Sequence, residues 1–156
     1  MERSTSVEID DWAMGLALAE ASLAVVHGDV PVGAVVIVGG EVVASRHNER
    51  ELAGDPTAHA EVLALRDAAV AIGDGWRCES ATVYVTLEPC LMCTGALLNA
   101  RVARIVYGAA DPKGGACGTL YHAPADPRLS YQCDVTWGVR EAECATALKE
   151  FFADLR

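Results

Sequence analysis

His59 and Glu61, two positions apart, and Cys90 and Cys93, three apart behind Pro89, are the side chains of this sequence best suited to hold a metal and use it. Residues three apart share a helix face, and at a first helical turn the unpaired N–H groups and the helix dipole favour thiolates. Two thiolates and one neutral imidazole give zinc three protein ligands and leave the fourth tetrahedral position open, the composition of a catalytic site. Residues two apart diverge along a regular helix. Only at a helix start, seen end-on, can His59 and Glu61 reach one small volume, His59 as ligand and Glu61 as its unbound neighbour. Zinc with two thiolates is formally neutral and acidifies water less than a centre of three neutral histidines, so a carboxylate beside it is useful. The expected chemistry is hydrolytic deamination, in which Glu61 takes a proton from the attacking water and hands protons to a ring nitrogen and a departing amine.

Blander uses of the same residues fit less well. A redox C-x-x-C pair normally accompanies a thioredoxin-like pattern and leaves H-x-E unexplained. A closed structural zinc site would draw a fourth ligand from Cys78, Cys117, Cys133, Cys144, His47 or His122 and would give Glu61 no role. Those four cysteines have no partner at metal-ligand spacing and are expected as buried, inert thiols. His27 and His122 are expected at the surface or in loops.

The two motifs must be brought together, and an α/β sheet does this because a helix that follows a strand begins at that strand's carboxyl edge. A first helix is expected after Asp10 and Asp11, with Trp12, Leu16, Ala19, Leu23 and Val26 at helical spacing. Residues 32–38 and 41–46, joined by Gly39-Gly40, form a hairpin pattern. After a polar stretch at 47–55, a second helix is expected from Thr57, carrying Val62, Leu65, Ala69 and Ile72, then a strand at 82–86 and a third helix from Pro89 to about residue 99. A strand at 104–107, an irregular loop and a weak strand near 134–136 follow. The tail stripe of Cys144, Leu148, Phe151, Phe152 and Leu155 is expected as core packing. The alternation predicts an α/β sheet with helices on both faces.

The chain has 156 residues, 52% hydrophobic and 22% charged, which suits one domain over 1–156 with a single core. No apolar run approaches the ~20 residues of a membrane helix, and the acidic residues 1–11 lack the order of a secretory signal, so a soluble cytoplasmic protein without a membrane partner is expected. The net charge of −10 repels polyanions at long range, although ten of the twelve basic residues are Arg, suited to local phosphate contacts.

The residues resemble the zinc-dependent cytidine-deaminase superfamily, whose signature is H-x-E with P-C-x-x-C. The likeness is closer still to bacterial tRNA-specific adenosine deaminases. It lies in residues 29–34 (DVPVGA), 55–61 (DPTAHAE), 86–93 (TLEPCLMC), 100–104 (ARVAR) and 107–111 (YGAAD), in Lys113 and Gly115, and in residues 143–145 (ECA) followed by Phe151-Phe152. It spans nearly the whole chain. The resemblance implies a three-layer α/β/α sandwich with a central five-stranded mixed sheet, a homodimer, and one zinc ion per chain. It also implies conversion of the wobble adenosine of a tRNA anticodon to inosine with release of ammonia. It places His59, Cys90 and Cys93 on the zinc, Glu61 in proton transfer, Asn48 on the flipped nucleoside, and Asp111 and Phe152 near the RNA.

Two departures stand out. Ser130-Tyr131-Gln132 replaces the family's usual Asn-His after Arg128-Leu129, and the sequence ends at Arg156 without the basic extension of some members. RNA binding is therefore expected to rest on few contacts, with Arg46, Arg50, Arg101 and Arg104 nearest the motifs. The alternatives are a free nucleobase or nucleoside deaminase of the same fold and, in a different class, a structural-zinc interaction module.

Overall fold

Thr5 and Glu8 bond reciprocally to each other's backbone N–H groups, a capping box that starts the first helix ahead of the acidic pair Asp10-Asp11. In the computed structural model, which describes residues 5–155, that helix is α1 (Ser6–Ala24). The order continues with β1 (Gly33–Val38), β2 (Glu41–His47), α2 (Arg50–Ala53), α3 (Ala60–Ile72), β3 (Thr82–Leu87), α4 (Leu91–Asn99), β4 (Arg104–Ala109), β5 (Asp134–Trp137) and α5 (Glu141–Asp154). The ends of the expected 1–156 domain, residues 1–4 and 156, lie outside the described residues. No helix among the described residues is long and apolar enough to cross a membrane.

The strands form one sheet in the order β2-β1-β3-β4-β5. β1 is antiparallel to both β2 and β3, while β3–β4 and β4–β5 are parallel, so the sheet is mixed. Successive strand residues face opposite ways. Val36, Val83, Val85 and Ile105 pack on one side with Ala60, Ala64 and Ala68 of α3 and Leu97 of α4. Val35, Ile37, Tyr84 and Val106 pack on the other with Ala13, Met14 and Ala17 of α1 and Cys144 of α5. Both faces of the sheet are thus covered, giving the expected α/β/α layers.

The buried face of α1 differs from the expected one. Trp12, Leu23 and Val26 are 48, 49 and 86% exposed, and the helix buries Asp10, Ala13, Met14, Ala17, Ala21 and Ala24 instead. The reason is close approach: a Cβ on Gly33 would run into the Ala17 carbonyl, so mainly small residues fit between α1 and β1. The α5 stripe is corrected in the same way, with Cys144 buried but Phe152 and Leu155 facing out.

Arg104 is tied to Asp10 by two hydrogen bonds of 2.8 and 2.6 Å and to Thr136 at 2.7 Å, while the Tyr84 hydroxyl donates to Asp10 at 2.8 Å. This network stitches α1, β3, β4 and β5 at the edge where β3 and β4 begin.

Candidate active site

The site's convergence follows from strand direction. β2 and β3 both oppose β1 and so run parallel to each other, and their carboxyl ends share one edge of the sheet. Asn48 and the loop into α3 leave that edge from β2, Glu88 and Cys90 leave it from β3, Asp111 leaves it from the parallel β4, and Val30 and Val32 enter β1 there. His59 is the N-cap of α3 and Cys90 the N-cap of α4, with Cys93 in the first turn of α4. The helices therefore begin three and two residues later than Thr57 and Pro89, and both motifs sit at their starts.

His59 Nδ1 lies 3.7 Å from Cys90 Sγ and 3.5 Å from Cys93 Sγ, and the three ligand atoms all fall within 4.8 Å of one another. Tetrahedral zinc with ordinary Zn–S and Zn–N bonds separates sulfur from nitrogen by ~3.6 Å. The donor set and its spacing fit that ion. Cys90 is held as a thiolate, its pKa lowered to about 4 chiefly by the hydrogen bond from Cys93 and then by His59. Cys93 is pushed upward because it donates to Cys90 and is buried, and the hydrogen bond with Cys90 raises His59. A bound cation would replace the protons these groups share.

Glu61 is buried in the first turn of α3. Burial pushes its carboxyl above the ordinary range, and the negative charge of Cys90 adds to the shift. A raised carboxyl is shifted in the direction that favours taking and returning a proton.

Around these groups is a cavity of about 170 Å³ with an apolar lining from Val30, Val32 and Leu87 and a polar one from Asn48, Arg50, His59, Glu61, Cys90 and Asp111. A cavity of ~150 Å³ holds one benzene ring, so this space is sized for a single heterocyclic base. Asn48 lines it while its Oδ1 accepts from Arg50 N at 3.1 Å and its Nδ2 donates to the Val30 carbonyl at 3.3 Å. Asp111 lines it while accepting from Lys113 N at 2.9 Å. Phe152 is not brought in; it lies half exposed on α5, edge-on to Phe151 at 5.4 Å.

Of the four arginines nearest the motifs, only Arg50 lines the cavity. Arg46 is engaged by Glu49 and Asp67, each at 3.0 Å. Arg101 stacks on Tyr131 at 4.9 Å just before β4, whose first residue is Arg104, at the other edge of the sheet.

Two carboxylates escaped the sequence reasoning. Glu88 is buried, lines the cavity and accepts from residues 111–119. Asp29 is equally buried and accepts from Glu51 N at 2.7 Å, Leu52 N at 3.1 Å and the His27 ring at 2.7 Å. The available signal was a charge set among apolar residues and prolines, in Leu87-Glu88-Pro89 and Asp29-Val30-Pro31. His27 is consequently a half-buried partner of Asp29 rather than a surface residue, whereas His122 is exposed. All six cysteines are free, and Cys133, unlike Cys78, Cys117 and Cys144, is only partly buried.

A five-stranded sandwich whose strand edge gathers one histidine, two cysteines and a buried glutamate around a base-sized cavity defines a deaminase of the cytidine-deaminase superfamily. The profile of the MafB19-like deaminases matches residues 9–156. The chain is 47% identical to the tRNA-specific adenosine deaminase of Bacillus subtilis over 94% of this chain and 91% of that one. It is 41% identical to the Haemophilus influenzae protein of the same name, over 96% and 86%. A solved structure from a study of A-to-I editing by tRNA deaminases at the wobble position superposes with a TM-score of 0.84 at 42% identity, covering 88% of this chain and 99% of that one. The chain belongs to the family of tRNA-specific adenosine deaminases.

Proposed function

We propose that this protein hydrolyses adenosine to inosine at the wobble position of tRNA anticodons, releasing ammonia. The observation that carries the reading is the His59–Cys90–Cys93 triangle, spaced for tetrahedral zinc, with Glu61 buried beside it at a cavity sized for one base. The names and identities of the curated relatives support the choice of tRNA as substrate.

His59 Nδ1 and the sulfurs of Cys90 and Cys93 hold one zinc ion per chain. Bound there, zinc supplies Lewis acidity that lowers the pKa of water. Glu61 takes one proton of the attacking water as its oxygen bonds to C6 of the flipped adenine and passes it to the adjacent ring nitrogen; it then carries the proton of the new hydroxyl to the amine, which leaves as ammonia as the C6–N bond breaks. Asn48 and Asp111 orient the nucleoside from two sides of the cavity, and Arg50 meets phosphate. Phe152, outside the cavity, stacks on a flanking nucleotide. The protein acts as a single domain in the cytoplasm and as a homodimer, a state supported by the exposed Leu91, Leu120 and Tyr121 that line one surface groove.

Sequencing of a tRNA panel treated with purified protein tests the substrate. Inosine at a wobble position supports it, and a panel without inosine overturns it.

A further inference from the structure

Asp111 reaches the cavity from the segment 111–119, which contains no helix or strand of its own. What orders this segment is Glu88. One carboxylate oxygen accepts from Asp111 N at 3.1 Å and from the Thr119 hydroxyl; the other accepts from Cys117 N and Thr119 N, each at 3.1 Å. The side chain is only 1% exposed, and an unpaired carboxylate so deeply buried would be strongly unfavourable. Four donors from one short segment remove that penalty, and charge-assisted bonds of this kind are the strong class. Gly115 completes the cradle, because a Cβ there would collide with the Glu88 carboxyl group. Glu88 is itself fixed, donating its own N–H to the Ala109 carbonyl at 2.8 Å directly after β3. Asp10, another buried carboxylate, differs in kind. It binds the side chains of Arg104 and Tyr84 at the opposite edge of the sheet, whereas every donor to the Glu88 carboxylate belongs to the segment whose first residue, Asp111, lines the cavity.

We propose that Glu88 is a positioning residue that fixes segment 111–119 and thereby holds Asp111, its cavity-lining residue, against the substrate. This rests on the reading of Asp111 as a substrate-facing residue. Glu88→Gln keeps the shape of the side chain but sets an NH₂ group against at least one backbone N–H, that of Asp111 when the amide oxygen keeps Cys117 and Thr119, so one side of the cradle opens. Thr119→Val removes a single donor and keeps its volume.

The test uses the metal-loaded protein and an anticodon stem-loop RNA, with hydrogen exchange measured alongside kinetics. In Glu88→Gln, the amides of 111–119 exchange at least about tenfold faster while those of β1 and β3 are unchanged, and bound metal is retained. KM rises about tenfold with kcat within about threefold, Asp111→Ala does the same, and the double variant is no worse than the worse single one, because both act through one contact. Thr119→Val gives a smaller shift of about threefold and carries the same cycle should Glu88→Gln not fold. Unchanged exchange in 111–119, loss of metal, an unaffected KM in Asp111→Ala, or additive KM effects would each overturn the inference. Faster exchange at 111–119 in a protein that forms no inosine would instead overturn the tRNA reading and leave the clamp standing.

Discussion

Glu61 lies two residues from His59, the histidine of the proposed metal site, and its burial decides what it can do. An exposed carboxylate there would be ionised and hydrated; buried, with its pKa raised, it can accept a proton and give it back. Glu61→Gln is therefore expected to retain bound zinc and to lose at least ~10²-fold in turnover, the low end for a positioned proton-transfer group. His59→Ala is expected to lose the metal as well, and elemental analysis of the two variants beside their rates separates the roles. Zinc loss in Glu61→Gln with the rate preserved would make Glu61 a ligand. His59, Glu61, Cys90 and Cys93 were legible in the sequence because each motif's spacing is local and each sits at a helix start. Glu88 and Asp29 were not, because their partners lie up to 31 and 23 residues away and are mostly backbone N–H groups, which carry no residue-specific sign.

Among the elements, the hairpin, β3, α3 and α4 were readable because alternation and helical spacing are strong there. The inward face of α1 was not, because a stripe of alanines faces the close approach of Gly33 while bulkier residues look outward. The short α2 was also missed, and it depends on Asp29. Burial alone would raise the Asp29 carboxyl, but the N–H groups of Glu51 and Leu52, with the His27 ring, hold it below its ordinary value of 3.8. A lowered native pKa means that the unfolded chain binds the proton more readily, so this stabilisation is complete above about pH 5 and fades as pH falls through the native value. Asp29→Asn is thus expected to lower the urea midpoint at about pH 7, with the gap to wild type narrowing below about pH 4. A gap independent of pH would contradict this account of α2.

For the molecule as a whole, a net charge of −10 sets the terms on which RNA can bind. Long-range attraction is absent, and with Arg46 and Arg104 engaged by carboxylates, Arg50 is the arginine left at the cavity. Two to four neutralised phosphates on a single-stranded loop give a log–log salt slope of about −1 to −3. A slope steeper than about −6 in a binding titration would reveal a phosphate footprint this surface does not offer. Recognition must then come largely from the base in its cavity and the loop that presents it. Deamination of the wobble adenosine is checked by comparing kcat/KM for an anticodon stem-loop carrying that adenosine with kcat/KM for free adenosine. The expected result is inosine at the wobble position, with the stem-loop favoured by at least about 10²-fold because remote contacts contribute to transition-state binding. Comparable efficiency on free adenosine, cytidine or guanine, with no inosine in any tRNA, would contradict it.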